Sequence, residues 1–95
     1  MALVISPSVA LKLGNKIPPV TREEILQCFA NRTGIYLIDS REEHASDPPT
    51  RWFISGTYYG RKLKVVFIDK DTDIVIRTAY DPNSEELRIY KKYGT

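Results

Sequence analysis

Three strand-like runs follow one another with almost nothing between them: Arg51 to Thr57, Lys62 to Ile68 and Asp73 to Tyr80. Their connections are far too short for the crossover a parallel pair requires, so consecutive runs must form antiparallel hairpins. A meander is therefore the predicted centre of the fold, and Ile35-Tyr36-Leu37-Ile38 adds a fourth strand before it. Helix signals flank the meander. Ser6-Pro7 reads as an N-cap followed by proline at the first helical position, opening a short helix that Gly14 ends. Thr21 and Glu24 have capping-box spacing, and Val20 and Ile25 are placed for a hydrophobic staple. They predict a helix from Arg22 to Ala30 with Ile25, Leu26 and Phe29 buried, Cys28 alongside, and a stop at Asn31-Arg32-Thr33-Gly34. Asn83 and Glu86 repeat the capping-box spacing and open a terminal helix whose inward residues are Leu87 and Tyr90. The predicted class is α+β: helices packed on one face of a four-stranded antiparallel meander, closed by a C-terminal helix.

Composition limits what such a fold can hold. At 95 residues, 42% hydrophobic and 27% charged, the chain is expected to form one domain over its whole length. A chain of this size buries only about 60–65% of its unfolded surface, enough for one core and a surface groove. A single cysteine, Cys28, excludes an internal disulfide, and with a single histidine, His44, it excludes the common Cys/His zinc patterns, so no cofactor is expected. Cys28 reads as a small core residue, since no second histidine accompanies it as it would a nucleophile. The first residues lack a basic n-region and carry Pro7, which argues against a signal peptide and for a soluble, cytoplasmic protein. Between Asp39 and Pro49, four acids against one arginine predict a solvated polar loop, a metal site being the alternative.

The net charge of +2 is too mild to identify a partner, so the distribution of charge has to. Gly60-Arg61 suits a two-residue type II′ loop with glycine first. That loop would pair Tyr59 with Lys62, Thr57 with Lys64, Ser55 with Val66 and Phe53 with Ile68. An even-length loop near Lys70-Asp71 then gathers Trp52, Ile54, Leu63, Val65, Phe67, Ile74 and Ile76 on one core face, with Tyr80 on the same side. The opposite face collects Arg51, Lys62, Lys64 and Arg77, with Phe53, Ser55, Thr57 and Tyr59 between them. Lys64 would stand directly across from Arg77, a destabilising like-charge pair unless an anion binds there. From Arg51 to Lys64 there are four basic residues and no acidic one, interleaved with Trp52, Phe53, Tyr58 and Tyr59. Cations among aromatic platforms suit single-stranded nucleic acid or RNA, while a plain solvated basic face gives the same pattern.

The second half of the chain resembles the small bacterial toxins of the RelE/ParE-like superfamily, and within it the BrnT-type proteins. The likeness lies in Arg51-Trp52-Phe53-Ile54-Ser55-Gly56, in Gly60-Arg61-Lys62-Leu63-Lys64-Val65-Val66-Phe67, in Ile74-Val75-Ile76-Arg77-Thr78-Ala79-Tyr80, and in the helix Ser84-Glu85-Glu86-Leu87-Arg88-Ile89-Tyr90. The Trp-Asp motif and Lys-His-Gly turn that open BrnT-type chains are absent, and Thr78-Ala79-Tyr80-Asp81 stands where they have Ser-Ala-Arg. The resemblance implies a metal-independent endoribonuclease working by 2′-hydroxyl attack, with Arg61, Lys64 and Arg77 on phosphate and Tyr80 or a lysine as the proton-transfer candidate. Arg51, Lys62 and Tyr59 would bind RNA. Implied partners are RNA or the ribosome, an antitoxin-like protein and a second copy of the chain, without a membrane. The alternative is a non-catalytic RelE-like protein-interaction module or an orphan domain that binds a partner protein. Chains of this type also carry the label ADP-ribosyl-dinitrogen-reductase hydrolase, for which this sequence offers only the acids between Asp39 and Asp47.

Overall fold

The computed structural model describes residues 2–39 and 48–95; the acidic stretch 40–47, with the loop and metal-site readings attached to it, lies outside them. Helices form where the local signals put them. α1 (Pro7–Gly14) is capped by Ser6, whose hydroxyl accepts from the Val9 amide. α2 (Arg22–Asn31) and α3 (Ser84–Tyr93) each begin with a complete capping box, Thr21 with Glu24 and Asn83 with Glu86. These caps satisfy amides that the first helical turn leaves without partners. No described helix is long and apolar enough to cross a membrane.

The sheet has five strands, not four, and is mixed. β1 (Ala2–Val4), β2 (Leu37–Ile38), β3 (Thr50–Gly56), β4 (Lys62–Lys70) and β5 (Asp73–Tyr80) lie in the order β1-β5-β4-β3-β2. The meander is antiparallel as predicted, but β1 adds an edge strand parallel to β5, with Leu3 beside Ile74. Three residues are too few to display an alternation of period two, and the partner of β1 is remote in the chain.

Register overturns the predicted faces. Phe53 pairs with Val65 and Ser55 with Leu63, so odd residues face odd residues across the β3–β4 hairpin. The loop is the cause. Thr57 and Arg61 close it through the Thr57 N–H to the Arg61 carbonyl at 2.7 Å, leaving the three residues Tyr58, Tyr59 and Gly60 outside. Gly60 has φ +87, the left-handed conformation required at the end of a three-residue loop rather than the start of a two-residue one. One residue of slip sends every side chain of a strand to the other face. The second hairpin does have an even loop, with Lys70 opposite Asp73, but a bulge follows. Val66 pairs with Thr78 and Phe67 with Ile76, so Arg77 is the extra residue and Tyr80, not Arg77, stands opposite Lys64.

Both sheet faces are consequently covered. α2 packs on the face of Phe53, Leu63, Val65, Phe67 and Ile76, with the Phe29 ring 4.8 Å from Phe53 and 5.4 Å from Phe67. α3 crosses the opposite face, where Tyr90 meets Trp52 at 5.6 Å. The residues expected in one core face are all buried, but Trp52 and Ile54 lie on the face that α3 covers and the others on the opposite one, with β5 in contact with α1. The open basic face does not form: Phe53 is fully buried, and the Cys28 thiol of α2 donates to the Ser55 backbone carbonyl. Leu26, expected in the buried stripe of α2, is 42% exposed.

Candidate functional site

α3 divides the face it covers into two grooves. Glu86, Ile89 and Tyr93, spaced i, i+3 and i+7, border one; Leu87, Tyr90 and Lys91 border the other. The larger, about 610 Å³, runs between α3 and the β2 edge, with Leu37, Trp52 and Lys64 among its walls. Its geometry is fixed by hydrogen bonds at the end of α3. The Tyr90 hydroxyl donates to the Ile35 carbonyl at 2.8 Å, and the Ile35 amide donates to the Gly94 carbonyl at 2.8 Å, tying the segment before β2 to the helix.

Lys64, in the middle of an apolar strand, is 7% exposed. A buried ammonium needs a partner, and α3 supplies one. Lys64 Nζ lies 2.9 Å from Glu86 Oε2 and 4.4 Å from the centre of the Trp52 ring. The Tyr80 hydroxyl donates to the same Glu86 oxygen at 2.5 Å, while Oε1 accepts from the Asn83 amide at 3.0 Å. Burial works to raise the Glu86 carboxyl, but the hydrogen bonds from Lys64, Tyr80 and Asn83 outweigh it and hold the group below its ordinary range. An ionised carboxylate, an ammonium and a phenol thus converge where the groove meets the sheet. Together they can accept, donate and relay protons beside a fixed positive charge.

The other residues singled out from sequence lie elsewhere. Arg61 ties the base of the β3–β4 loop to three other segments. It donates to Asp81 at 2.6 Å, to Glu24 at 3.1 Å, and to the Pro18 and Pro19 carbonyls at 3.0 and 2.7 Å. Its guanidinium is held more firmly protonated by the Asp81 hydrogen bond first, with burial opposing and Glu24 assisting. Arg77 is exposed on its bulge, away from Lys64 in the ladder. Arg51 is half-buried opposite Phe67, and Lys62 is exposed at the tip end of β4. Tyr59 projects from the tip, 95% exposed. Of the four residues given to catalysis, the fold brings together Lys64 and Tyr80 and separates both from Arg61 and Arg77.

Glu86 is the member that sequence reading left out. Its capping role was visible, but that role uses one carboxylate oxygen and leaves the other for the sheet. The available signal was Lys64 itself, a lysine flanked by Leu63 and Val65, which demands an acid from a covering element.

Comparison with protein-family models, curated protein sequences and solved structures finds no match to the chain.

Proposed function

We propose that the chain is a RelE/BrnT-like endoribonuclease that cleaves RNA without a metal, using the cluster of Lys64, Glu86 and Tyr80. The observation carrying this reading is the sharing of one oxygen, Glu86 Oε2, by Lys64 Nζ at 2.9 Å and the Tyr80 hydroxyl at 2.5 Å beside the 610 Å³ groove. With RNA in the groove, Glu86 takes the proton of a 2′-hydroxyl as its oxygen bonds to the adjacent phosphorus. The bond from phosphorus to the 5′-oxygen breaks, and that oxygen takes the Tyr80 proton. Products are a 2′,3′-cyclic phosphate and a 5′-hydroxyl. The proton on Glu86 then returns to Tyr80 along their hydrogen bond, restoring both groups. Lys64 stays opposite the negative charge that develops on the phosphoryl oxygens, the type of electrostatic contribution that usually dominates such reactions.

Purified protein incubated with single-stranded and ribosome-bound RNA in EDTA tests the reading. Cleavage with cyclic-phosphate ends, abolished in Tyr80→Phe, supports it. Intact RNA, with no growth arrest on expression, overturns it.

The non-catalytic module has its own supporting observation: Arg61 and Lys64, two cations the resemblance gives to phosphate, already have carboxylate partners within the fold. In that reading the larger groove, rimmed by the exposed apolar residues Ile38 and Tyr93, receives a protein segment such as an antitoxin's. A small DNA-binding antitoxin encoded in the adjacent reading frame favours the toxin; its absence together with intact RNA favours the module.

A further inference from the structure

The tip of the β3–β4 hairpin presents two aromatic rings to water. Tyr59 is 95% exposed and Tyr58 67% exposed. The backbone that carries them is pinned at its base. The Thr57 N–H meets the Arg61 carbonyl at 2.7 Å, Gly60 N–H meets the Thr57 carbonyl at 3.0 Å, and Arg61 N–H meets Thr57 Oγ1 at 3.1 Å. From outside the hairpin, the Tyr58 amide donates to Oε1 of the buried Gln27 at 3.0 Å, and Asn31 Nδ2 donates to the Gly56 carbonyl at 2.9 Å. A loop held this way can engage a flat ligand without first losing the freedom of its backbone.

The second groove, about 400 Å³, reaches the Gly56–Lys62 pair from which the hairpin loop departs. Lys62, from the last pair of the β3–β4 ladder, and Lys91, from α3, are its cations; both are exposed. Asn31, Thr33 and Ser55 supply its neutral polar side chains. None of its described lining side chains is acidic, and neither lysine has an ion-pair partner among the described residues. Lys62 and Lys91 therefore differ from Lys64 and Arg61, whose charges the fold neutralises. Two exposed cations without an ion-pair partner, on one groove with no acidic side chain, attract an anion.

We infer that the Tyr58-Tyr59 tip and the Lys62/Lys91 groove form a subsite for single-stranded nucleic acid, with bases stacked on the tyrosine rings and phosphates held at the two lysines. This deepens the RNA reading by naming the strandedness of the ligand and a place of binding separate from the Glu86 cluster. The chemistry favours single strands because each base then offers an open π-face, which in a duplex is covered by its neighbours. Discrimination among bases is weak at such a site, since stacking needs a ring rather than a hydrogen-bond pattern.

A 2′-O-methyl oligoribonucleotide of about eight nucleotides, within the usual site size of roughly 4–16, separates this inference from the cleavage reading, because it has no free 2′-hydroxyl to attack. Its binding, followed by fluorescence anisotropy, should weaken about 5- to 150-fold in Tyr59→Ala, the loss that alanine substitution of a stacking ring produces. Lys62→Ala/Lys91→Ala should reduce the slope of log K against log salt by about 1.4, from about 0.7 per single-strand phosphate contact. Lys70→Ala, eight residues along β4 from Lys62 and so about 26 Å away at roughly 3.3 Å per residue, should leave both quantities unchanged. Binding by a protein that leaves ordinary RNA intact removes the cleavage reading and keeps this one. Cleavage with wild-type oligonucleotide affinity in Tyr59→Ala and Lys62→Ala/Lys91→Ala overturns this one, as does sedimentation showing a dimer that Tyr59→Ala disperses and oligonucleotide does not.

Discussion

Replacing Glu86 by glutamine removes a charge and little else. Glutamine can serve at the third position of a capping box, so its oxygen can still accept from the Asn83 amide as Glu86 Oε1 does. What is lost is the partner of Lys64, whose side chain is 9% exposed against 16% for Glu86. Hydrogen bonds to charged groups contribute about 1.5–3 kcal/mol, and breaking a buried pair from one side costs about 3–5 kcal/mol. The residual exposure places the expected loss for Glu86→Gln at about 2–4 kcal/mol. For a domain of this size that corresponds to roughly 10–30 °C in melting temperature. Lys64→Met should cost less, about 1–2 kcal/mol, because Glu86 keeps its bonds from Tyr80 and Asn83. In the double variant no charge remains to be left unpaired, so it should recover to within about 1 kcal/mol of wild type. Urea titration and thermal circular dichroism measure all three. The pH dependence has a definite sign. The folded Glu86 carboxyl lies below its ordinary 4.5, so its contribution is complete above that pH and disappears as pH falls through the lowered folded value. Wild type should therefore lose more stability below pH 4.5 than Glu86→Gln does. A Glu86→Gln protein within about 0.5 kcal/mol of wild type, the usual size of an incidental surface effect, would refute the reasoning. So would a double variant whose loss equals the sum of the singles.

Phe53→Ala should cost about 3–5 kcal/mol by urea titration, as expected for a buried ring; a loss below about 1 kcal/mol, typical of an exposed site, would restore the register in which Phe53 lies on an open face. Gly60→Ala should destabilise by about 1–2 kcal/mol through backbone conformation, since an added Cβ meets nothing within 4 Å and φ is +87. An unchanged urea midpoint would contradict that. Cys28, fully buried with its thiol pushed up to about 11 by burial foremost, should react with a thiol reagent at pH 8 only as fast as the protein opens. Full reaction within the mixing time would show that the residue is accessible.

Features settled within a few residues could be read from the chain. Both capping boxes close over four residues, so Thr21 with Glu24 and Asn83 with Glu86 specify where α2 and α3 begin without any tertiary partner. β3, β4 and β5 were legible because their composition is strand-like and their connections exclude a crossover. The side of the sheet each residue faces is a different kind of quantity. It rests on the parity of one loop, and Gly60 is compatible with either parity because its left-handed φ serves a two-residue loop in one position and a three-residue loop in another. Packing decides between them: the odd register places Phe53, Leu63, Val65 and Phe67 on one buried face, where Phe29 meets Phe53 and Phe67, and leaves Trp52 and Lys64 for α3. The bulge at Arg77 then brings Tyr80 to Lys64, and the parallel docking of β1 depends on a neighbour at the far end of the chain. The sequence alone determined where the three helices and the three strands of the central meander lie, because capping and turn chemistry act over a few bonds, whereas β1 and the short extent of β2 escaped it. Only the tertiary structure decided that Lys64, Tyr80 and Glu86 meet, because that meeting depends on register and on which face α3 covers, and both are set by the packing of residues distant in the chain.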